Sequence, residues 1–380
     1  MFEARIAYLA YHPRPRPRRG CFYQSTNSTA ILVAVNPSRL RWATMHEAML
    51  WEPFGDKRVR CILCAHRCVI QDGKRGICMV RENRDGTLYS LVYGRVVSVA
   101  LDPIEKKPLF HFLPGADALS LATVGCNFKC EFCQNYHISQ YPRDHGGRVF
   151  GERVEPEEVV RQAVSSGSRV IAYTYTEPTV FFEFAYEVAR RANPLGIKNV
   201  FVTNGYMTRE ALDEISPYLD GANVDLKSFR EETYRRHMGA TLQPVLDTIE
   251  GMHQRGIWVE VTTLIIPGLN DSEEELRWIA EFIRGVSPDI PWHISRFFPA
   301  YRMHSHPPTP ISSLIRAWEI GREVGLNYVY LGNVPGQGED TVCPSCGQTL
   351  IRRYGFLVER DELADGRCPK CGAEIAGVWS

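Results

Sequence analysis

The middle of the chain alternates short apolar runs with amphipathic segments. After the apolar run ALSLATVGC comes EPEEVVRQAVSSG, whose apolar residues recur every three or four positions, and the alternation repeats as far as NYVYLGN. Continuous apolar runs predict buried strands, and the helical period predicts helices that cover them. Six strand–helix units, nearly seven, fall short of the eight units of a closed barrel. We therefore expect an α/β fold with a partial, open (β/α)6-type TIM-like barrel.

The segments on either side of this barrel have a different character. Residues 1–44 contain HPRPRPRRG, whose prolines exclude a helix, so we expect a disordered tail or an extension ahead of a biological start at Met45. Residues 45–115 combine short apolar runs, turns and cysteines, and predict an N-terminal cysteine-rich β module. Residues 116–335 would then form the barrel, and residues 336–380 a C-terminal zinc-ribbon-like module.

Charge and hydropathy exclude several classes of protein. The 44 Lys and Arg residues balance the 44 Asp and Glu residues, so the net charge does not indicate nucleic acid as a partner. No apolar run reaches the roughly 18 residues that a membrane-spanning helix needs, and the start lacks the pattern of a secretory signal. We therefore expect a cytoplasmic protein without a membrane partner. In such a protein, twelve cysteines indicate metal or redox chemistry rather than disulfides.

Eleven of the twelve cysteines fall into three groups, and only Cys21 stands apart. The groups are an N-terminal quartet of Cys61, Cys64, Cys68 and Cys78, a middle group of Cys126, Cys130 and Cys133, and a C-terminal quartet of Cys343, Cys346, Cys368 and Cys371. Four thiols complete a tetrahedral zinc site, whereas a [4Fe–4S] cluster takes one ligand for each iron. The middle group therefore either borrows a fourth ligand such as His137 or leaves one iron open.

Both quartets predict closed metal sites. The C-terminal quartet consists of two CPxCG knuckles separated by 21 residues, close to the zinc-ribbon pattern. Zinc is the expected ion there, and a rubredoxin-like single iron is the alternative. The N-terminal quartet has the spacing C-x2-C-x3-C-x9-C, with glycines that allow tight turns. This spacing leaves zinc and an auxiliary iron–sulfur cluster both open.

The middle group carries a resemblance to a known family. GCNFKCEFCQN resembles the signature of the radical S-adenosylmethionine (radical SAM) superfamily, in which three cysteines hold a [4Fe–4S] cluster and the open iron binds SAM. Phe132, directly before the third cysteine, also matches, and the motif follows the first strand of the predicted barrel. The resemblance implies a barrel of the radical SAM type, with Cys126, Cys130 and Cys133 as the cluster ligands.

The ends of the later strands extend this resemblance. YTYTEP resembles the Gly-Gly-Glu-Pro segment of the superfamily, whose acidic residue meets the amino group of SAM, here Glu177; Tyr175 and Thr176 replace the glycines. TNGY and VDLKS resemble motifs of pyruvate formate-lyase activating enzymes that flank SAM and its ribose. The additional SAM-binding residues that these motifs imply are Thr203, Asn204, Asp225 and Lys227.

Two of these assignments have alternatives that the sequence leaves open. Asp225 and Lys227 point to the same side of a strand, because side chains alternate, and a buried salt bridge that closes the barrel mouth is the alternative. His293 begins the polar part of the sixth strand. It is a further candidate for SAM contact, and a hydrogen-bonded core histidine is the alternative. The proline-rich segment RFFPAYRMHSHPPTP is the candidate lid.

Taken from Met45 to Trp379, the motifs resemble the AmmeMemoRadiSam-system radical SAM enzymes, which are related to pyruvate formate-lyase activating enzymes. The resemblance implies reductive cleavage of SAM to a 5′-deoxyadenosyl radical, which abstracts hydrogen from an unidentified substrate. It also implies flavodoxin or ferredoxin as electron donor, with Memo-like and AMMECR1-like proteins as associated partners. A glycyl-radical-enzyme activase is the alternative reaction, and a multi-zinc binding module is the alternative class.

Overall fold

The structure, a computed structural model, describes residues 45–380. The predicted tail and Cys21 lie outside the described residues. The first part of the described chain consists of short antiparallel strands. They are β1 (His46–Glu47), β2 (Trp51–Pro53), β3 (Val59–Cys61), β4 (Val69–Ile70), β5 (Arg81–Arg84), β6 (Thr87–Ser90) and β7 (Arg95–Val96). Two three-stranded sheets result, in the orders β1-β6-β5 and β2-β3-β4.

An eight-stranded sheet forms the centre of the molecule. Its strands are β8 (Ser98–Pro103), β9 (Asp117–Ala122), β11 (Val170–Tyr173), β12 (Lys198–Thr203), β13 (Gly221–Asp225), β14 (Trp258–Ile265), β15 (Trp292–Arg296) and β16 (Val329–Gly332). The short strand β10 (Glu152–Arg153) lies outside this sheet and pairs with β7. The order is β16-β15-β14-β13-β12-β11-β9-β8, and all neighbours except β8 and β9 pair in parallel. Within residues 45–380, no pairing joins the edge strands β8 and β16. The predicted α/β class with a mostly parallel sheet is confirmed.

Helices connect the parallel strands and cover the sheet. They are α1 (Tyr136–Ser139), α2 (Tyr141–Asp144), α3 (Pro156–Ser166), α4 (Phe182–Ala192), α5 (Arg209–Ile215), α6 (Glu231–Thr233), α7 (Gln243–Gln254), α8 (Glu273–Val286) and α9 (Ile311–Val324). In α8, Ser272 caps the start and accepts a hydrogen bond from the Glu275 N–H. None of the helices in residues 45–380 is long and apolar enough to cross a membrane.

The N-terminal strands and the central sheet share one hydrophobic core. Val59 and Leu88 of the N-terminal part belong to the same buried cluster as Leu121 and Phe201 of the central sheet. A separate cluster lies at the other end of the chain, around β17 (Thr341–Val342), β18 (Thr349–Tyr354) and β19 (Leu357–Asp361). The predicted boundaries at residues 115 and 335 stay predictions, and the core is continuous across the first of them.

A buried carboxylate on β14 ties the central sheet to the segment before β9. The Glu260 oxygens accept hydrogen bonds from the backbone N–H of Phe110 at 3.0 Å and of His111 at 2.8 Å. They also accept from Trp258 Nε1 at 3.0 Å and from His293 Nε2 at 2.6 Å. Burial raises the pKa of Glu260, but its hydrogen bond and charge interaction with His293 outweigh burial and leave the pKa below its ordinary value.

This arrangement predicts the effect of Glu260→Gln. The carboxylate of Glu260 now accepts four hydrogen bonds. The amide nitrogen of Gln would face two of these four N–H groups and could not accept from them. We expect the free energy of unfolding to fall by about 2–4 kcal/mol, measured by denaturant unfolding. The matched control is Glu281→Gln on the exposed face of α8, which should change stability by less than about 0.5 kcal/mol. Equal stability of the two variants would contradict this account.

Candidate active site

The three cysteines of the middle group lie on one loop directly after β9, which we call the cysteine loop (residues 125–135). Its first residue, Gly125, has a φ of 102°, and a Cβ there would lie 2.7 Å from Cγ1 of Val80. Only glycine combines that backbone conformation with such close packing. The loop is thus shaped by contact with the N-terminal part of the chain.

The thiols of the cysteine loop are largely enclosed. Burial raises the pKa of Cys130 to about 12, against the opposing positive charge of Lys227. Burial also raises the pKa of Cys133, whose Sγ lies 3.1 Å from Ser139 Oγ. For Cys126, burial and then the charge of Glu177 raise the thiol pKa. A cation must therefore displace protons from these sulfurs when it binds, as thiolate coordination requires.

A buried carboxylate connects two strand ends to the cysteine loop. Glu177 follows β11, and its Oε1 accepts hydrogen bonds from Thr203 Oγ1 at 2.8 Å and from the Thr179 N–H at 3.0 Å. Its Oε2 accepts from the Asn204 N–H at 2.8 Å. Asn204 Nδ2 in turn donates to Asn127 Oδ1 at 2.7 Å and lies 3.8 Å from the Sγ of the first cysteine.

Most of the acceptor capacity of Glu177 is therefore used within the protein. Burial raises the pKa of this carboxyl, and the hydrogen bonds from Asn204 and Thr179 partly offset that effect. The network orients Asn204 beside Cys126, a role that the motif alone did not indicate. Asn127, the other partner of Asn204, was also missed, because an asparagine inside a cysteine motif carries no distinctive signal.

Tyr175 occupies the place of a family glycine and retains a glycine-like backbone. Its φ is 61°, in the left-handed region that glycine adopts without strain. The side chain reaches Asp102, to which its hydroxyl donates, and its ring lies 4.4 Å from Lys107 Nζ. Burial lowers the pKa of Lys107 to about 8 despite the nearby Asp102 charge. Sequence reasoning missed this buried cluster, since no spacing connects its members.

Asp225 and Lys227 form the salt bridge that the sequence analysis left open. The Lys227 Nζ lies 2.8 Å from Asp225 Oδ2 at the carboxyl end of β13. Burial lowers the pKa of Lys227, but the attraction of Asp225 and then of Cys130 outweighs burial and raises it. The cation is thus held at the side of the cysteine loop, close enough to affect the thiol.

The contacts of His293 and His137 differ from those of site residues. His293 donates to Glu260, and its ring lies edge-on to Phe110. These are the contacts of the hydrogen-bonded core histidine, and they lead away from the cysteine loop. His137 is exposed. The contacts of His293 are therefore those of the core alternative, and the assignment of His137 as a fourth ligand stays a prediction.

The proline-rich segment 296–310 packs against the cysteine loop. The Arg302 N–H donates to the Glu131 carbonyl at 2.9 Å, and the Tyr301 ring stacks on Tyr136 with centroids 4.9 Å apart. The side chain of Met303, within the segment, is buried. The segment therefore lies against the cysteine loop, and its role as a lid stays a prediction.

The C-terminal quartet has the dimensions of a single-ion site. The Sγ atoms of Cys343 and Cys371 are 3.7 Å apart, and those of Cys346 and Cys368 are 3.6 Å apart. A tetrahedron with Zn–S bonds near 2.3 Å requires about 3.8 Å between sulfurs. Among residues 45–380, this quartet is the only group of three or more Cys, His, Asp or Glu side chains whose ligand atoms all lie within 4.8 Å of one another. A cysteine-rich metal-binding site is therefore present at this end of the chain.

Comparison with known proteins agrees with this architecture. The model of the Radical SAM superfamily matches residues 120–283. The uncharacterized protein MJ0808 of Methanocaldococcus jannaschii is 46% identical over 336 residues, which cover 87% of this chain and 99% of that protein. The pyruvate formate-lyase-activating enzyme of Clostridium pasteurianum is 23% identical over 169 residues, covering 43% of this chain and 67% of that enzyme.

A solved structure, SuiB of Streptococcus suis bound to S-adenosylmethionine, matches with a TM-score of 0.46 and 14% identity, covering 60% of this chain and 53% of that chain. The chain belongs to the radical SAM superfamily, and it is related to the glycyl-radical activating enzymes. The cofactors of this superfamily are a [4Fe–4S] cluster and SAM. The protein is therefore an enzyme of radical chemistry.

The Glu177 network predicts a selective defect in Glu177→Gln. An amide at this position would face donors on either side, so Asn204 would lose its fixed position beside the cysteine loop. We expect iron content to be unchanged and the dissociation constant for SAM, measured anaerobically by calorimetry, to rise at least about tenfold. Glu250→Gln, on an exposed helix face, is the matched control. Unaltered SAM affinity in Glu177→Gln would show that this network does not organise the SAM site.

Proposed function

We propose that the protein cleaves SAM reductively at a [4Fe–4S] cluster bound by Cys126, Cys130 and Cys133, and abstracts hydrogen from a substrate. The observation that carries this proposal is the position of the cysteine loop at the carboxyl ends of the parallel strands. Ligands bind at that edge of parallel α/β folds. Buried polar side chains from the next three strands lie there beside the thiols, among them Glu177 and Lys227.

The thiols of the cysteine loop suit a cluster better than a single ion. In the C-terminal quartet, all four sulfur atoms lie within 4.8 Å of one another. The three sulfur atoms of the cysteine loop, also within residues 45–380, are not that close together. Each thiolate of a cluster binds a different iron, so wider spacing is expected. When bound and reduced, the cluster supplies the electron that splits SAM into methionine and a 5′-deoxyadenosyl radical.

The chain's own residues bind and orient the SAM. We propose Thr203, Asn204, Asp225 and Lys227 as the polar lining of the SAM site. Glu177 primarily positions Asn204, and its Oε2, which accepts only one hydrogen bond from the protein, retains capacity for the SAM amino group. Segment 296–310 excludes water from the loop, which protects reactive species from side reactions. We do not include His293, whose hydrogen bond is with Glu260.

Radical SAM enzymes usually receive their electrons from flavodoxin or ferredoxin, and we propose the same class of donor here. We also propose that the protein belongs to the AmmeMemoRadiSam group, with Memo-like or AMMECR1-like proteins as partners. The support is the combination of three cysteine groups in one chain: the N-terminal CxLCxHxC, the cysteine loop and the terminal CPxCG pair.

The C-terminal quartet is proposed as a structural zinc site. Cys343 and Cys368 are part of a small hydrophobic cluster with Tyr328 and Tyr330. Because a closed four-thiolate site leaves no position for substrate, its role is to hold this part of the chain against β16. The alternative of a module with zinc in all three groups is set aside, since the chain belongs to an enzyme superfamily and the other two groups lack this compact geometry.

Activation of a glycyl-radical enzyme is the second candidate reaction. It is favoured by the similarity to glycyl-radical activating enzymes, among them the pyruvate formate-lyase-activating enzyme of Clostridium pasteurianum, which covers less than half of this chain. In that reaction the abstracted hydrogen would come from a backbone glycine of a partner protein. A stable glycyl radical signal in a partner would distinguish it from chemistry on a small molecule.

The proposed chemistry predicts the behaviour of a triple variant, Cys126→Ala, Cys130→Ala and Cys133→Ala. The wild-type protein, purified anaerobically and supplied with dithionite and SAM, should release 5′-deoxyadenosine, measured by liquid chromatography. The triple variant should release none above background, because it loses the cluster whose open iron binds SAM. Cys21→Ser is the matched thiol control and should retain the activity. Undiminished 5′-deoxyadenosine formation by the triple variant would refute the assignment.

The partner proposal predicts a dependence of turnover on a second protein. We expect 5′-deoxyadenosine formation to rise at least about tenfold when the true substrate or partner is added, because substrate binding completes the closed site. Memo-like and AMMECR1-like proteins are tested separately, with the cysteine-loop triple variant as the blank. No stimulation by either would contradict their assignment as partners and leave the SAM chemistry standing.

A further inference from the structure

We propose that the N-terminal quartet holds a second iron–sulfur cluster, of the [4Fe–4S] type, rather than a zinc ion. The four cysteines of this quartet line one small cavity. Its remaining walls are mainly apolar and include Leu63, Ile70, Ile77 and Val180. A cavity enclosed by four thiols and aliphatic side chains provides ligands for a metal group and keeps water away from it.

The spacing of the sulfurs distinguishes the two kinds of metal group. The C-terminal quartet brings its sulfurs to 3.6 and 3.7 Å in pairs, as one zinc ion requires. In the N-terminal quartet, by contrast, no three sulfur atoms all lie within 4.8 Å of one another. The same is true of the sulfur atoms of the cysteine loop. The two quartets therefore differ in the spacing of their sulfur atoms. In this respect the N-terminal quartet resembles the cysteine loop, whose counterpart in this superfamily binds a cluster. Four irons between four thiolates account for the wider spacing.

A buried arginine provides a second, independent indication. Arg81 lines the cavity, and its side chain is only 2% exposed. Its Nη2 is paired with Glu183 at 2.8 Å, but its Nε and Nη1 have no hydrogen-bond partner among the described residues. Buried N–H groups of a cation are costly to leave unpaired. Sulfide and thiolate sulfurs of an anionic cluster would accept these hydrogen bonds, and a cluster with four thiolates carries net negative charge.

The cavity adjoins the proposed active site. Thr179, which lines the cavity, donates its backbone N–H to Glu177. On another side, the carbonyl of Cys78 lies 3.4 Å from the position of a Cβ on Gly125. The second cluster would therefore lie next to the cysteine loop. Its position distinguishes it from a metal site that only stabilises a remote module.

The test counts iron, sulfide and zinc in the full-length chain after anaerobic reconstitution. We expect about eight irons, about eight sulfides and one zinc per chain. The decisive sample is the cysteine-loop triple variant, which should retain about four irons and four sulfides. After reduction, its electron paramagnetic resonance spectrum should not change on addition of SAM, because all four irons already have cysteine ligands.

A second pair of variants separates this proposal from the proposed function. Cys64→Ala with Cys68→Ala in the otherwise intact chain should lose about four irons and keep the SAM-responsive signal. A chain with iron only in the N-terminal quartet would overturn the proposed function and leave this inference standing. Two zinc ions and no iron in the triple variant would overturn this inference alone. Retention of the C-terminal zinc and of the circular dichroism spectrum reports that each variant has folded.

Arg81 supplies a readout that depends on the cluster's charge. In the triple variant, Arg81→Gln removes a positive charge beside the cluster and should make its reduction potential more negative, whereas Arg81→Lys should shift it less. Both variants are compared by redox titration at matched iron content. An unchanged potential in Arg81→Gln would overturn the assignment of Arg81 as a donor to the cluster.

Discussion

The candidate site depends on one hydrogen-bonded carboxylate. Glu177 has no solvent contact of consequence, so its oxygens must be satisfied by protein donors or by a ligand. The donors are Thr179, two residues further along the chain, and Thr203 and Asn204 at the end of β12. Asn204 transmits this arrangement to the sulfur of Cys126. The position of the cysteine loop relative to the sheet is thereby coupled to a single buried charge. The surrounding strands are parallel and apolar, which makes that charge costly unless every bond is formed.

Much of the fold follows from patterns that local physics enforces. Apolar runs such as NVFVTNG must be buried on both faces, so they form interior parallel strands, and the intervening helices cover them. The count of thiols in each cysteine group was also informative, because coordination number is a property of the metal. These features depend on residue type and spacing within a short segment. For that reason they could be predicted before any contact between distant segments was known.

The rest depended on contacts between segments far apart in the chain. His293 looked equally suited to a ligand or a core role until its partner Glu260 and the neighbouring Phe110 were placed beside it. Tyr175 replaces a family glycine, yet the backbone keeps the left-handed conformation, because the side chain is anchored on Asp102, 73 residues away in the chain. Arg81 gave no signal in the sequence, since only the cavity reveals its unpaired N–H groups.

The common core of the N-terminal strands and the central sheet has an evolutionary consequence. Val80 fits against Gly125 so closely that neither position accepts a change of size without a response from the other. Recombination that exchanged the N-terminal segment between distant relatives would place an unmatched surface against the loop that bears the reactive thiols. Such chimaeras would be lost before any new activity could be selected. The two segments are therefore expected to be inherited together, as one unit of descent.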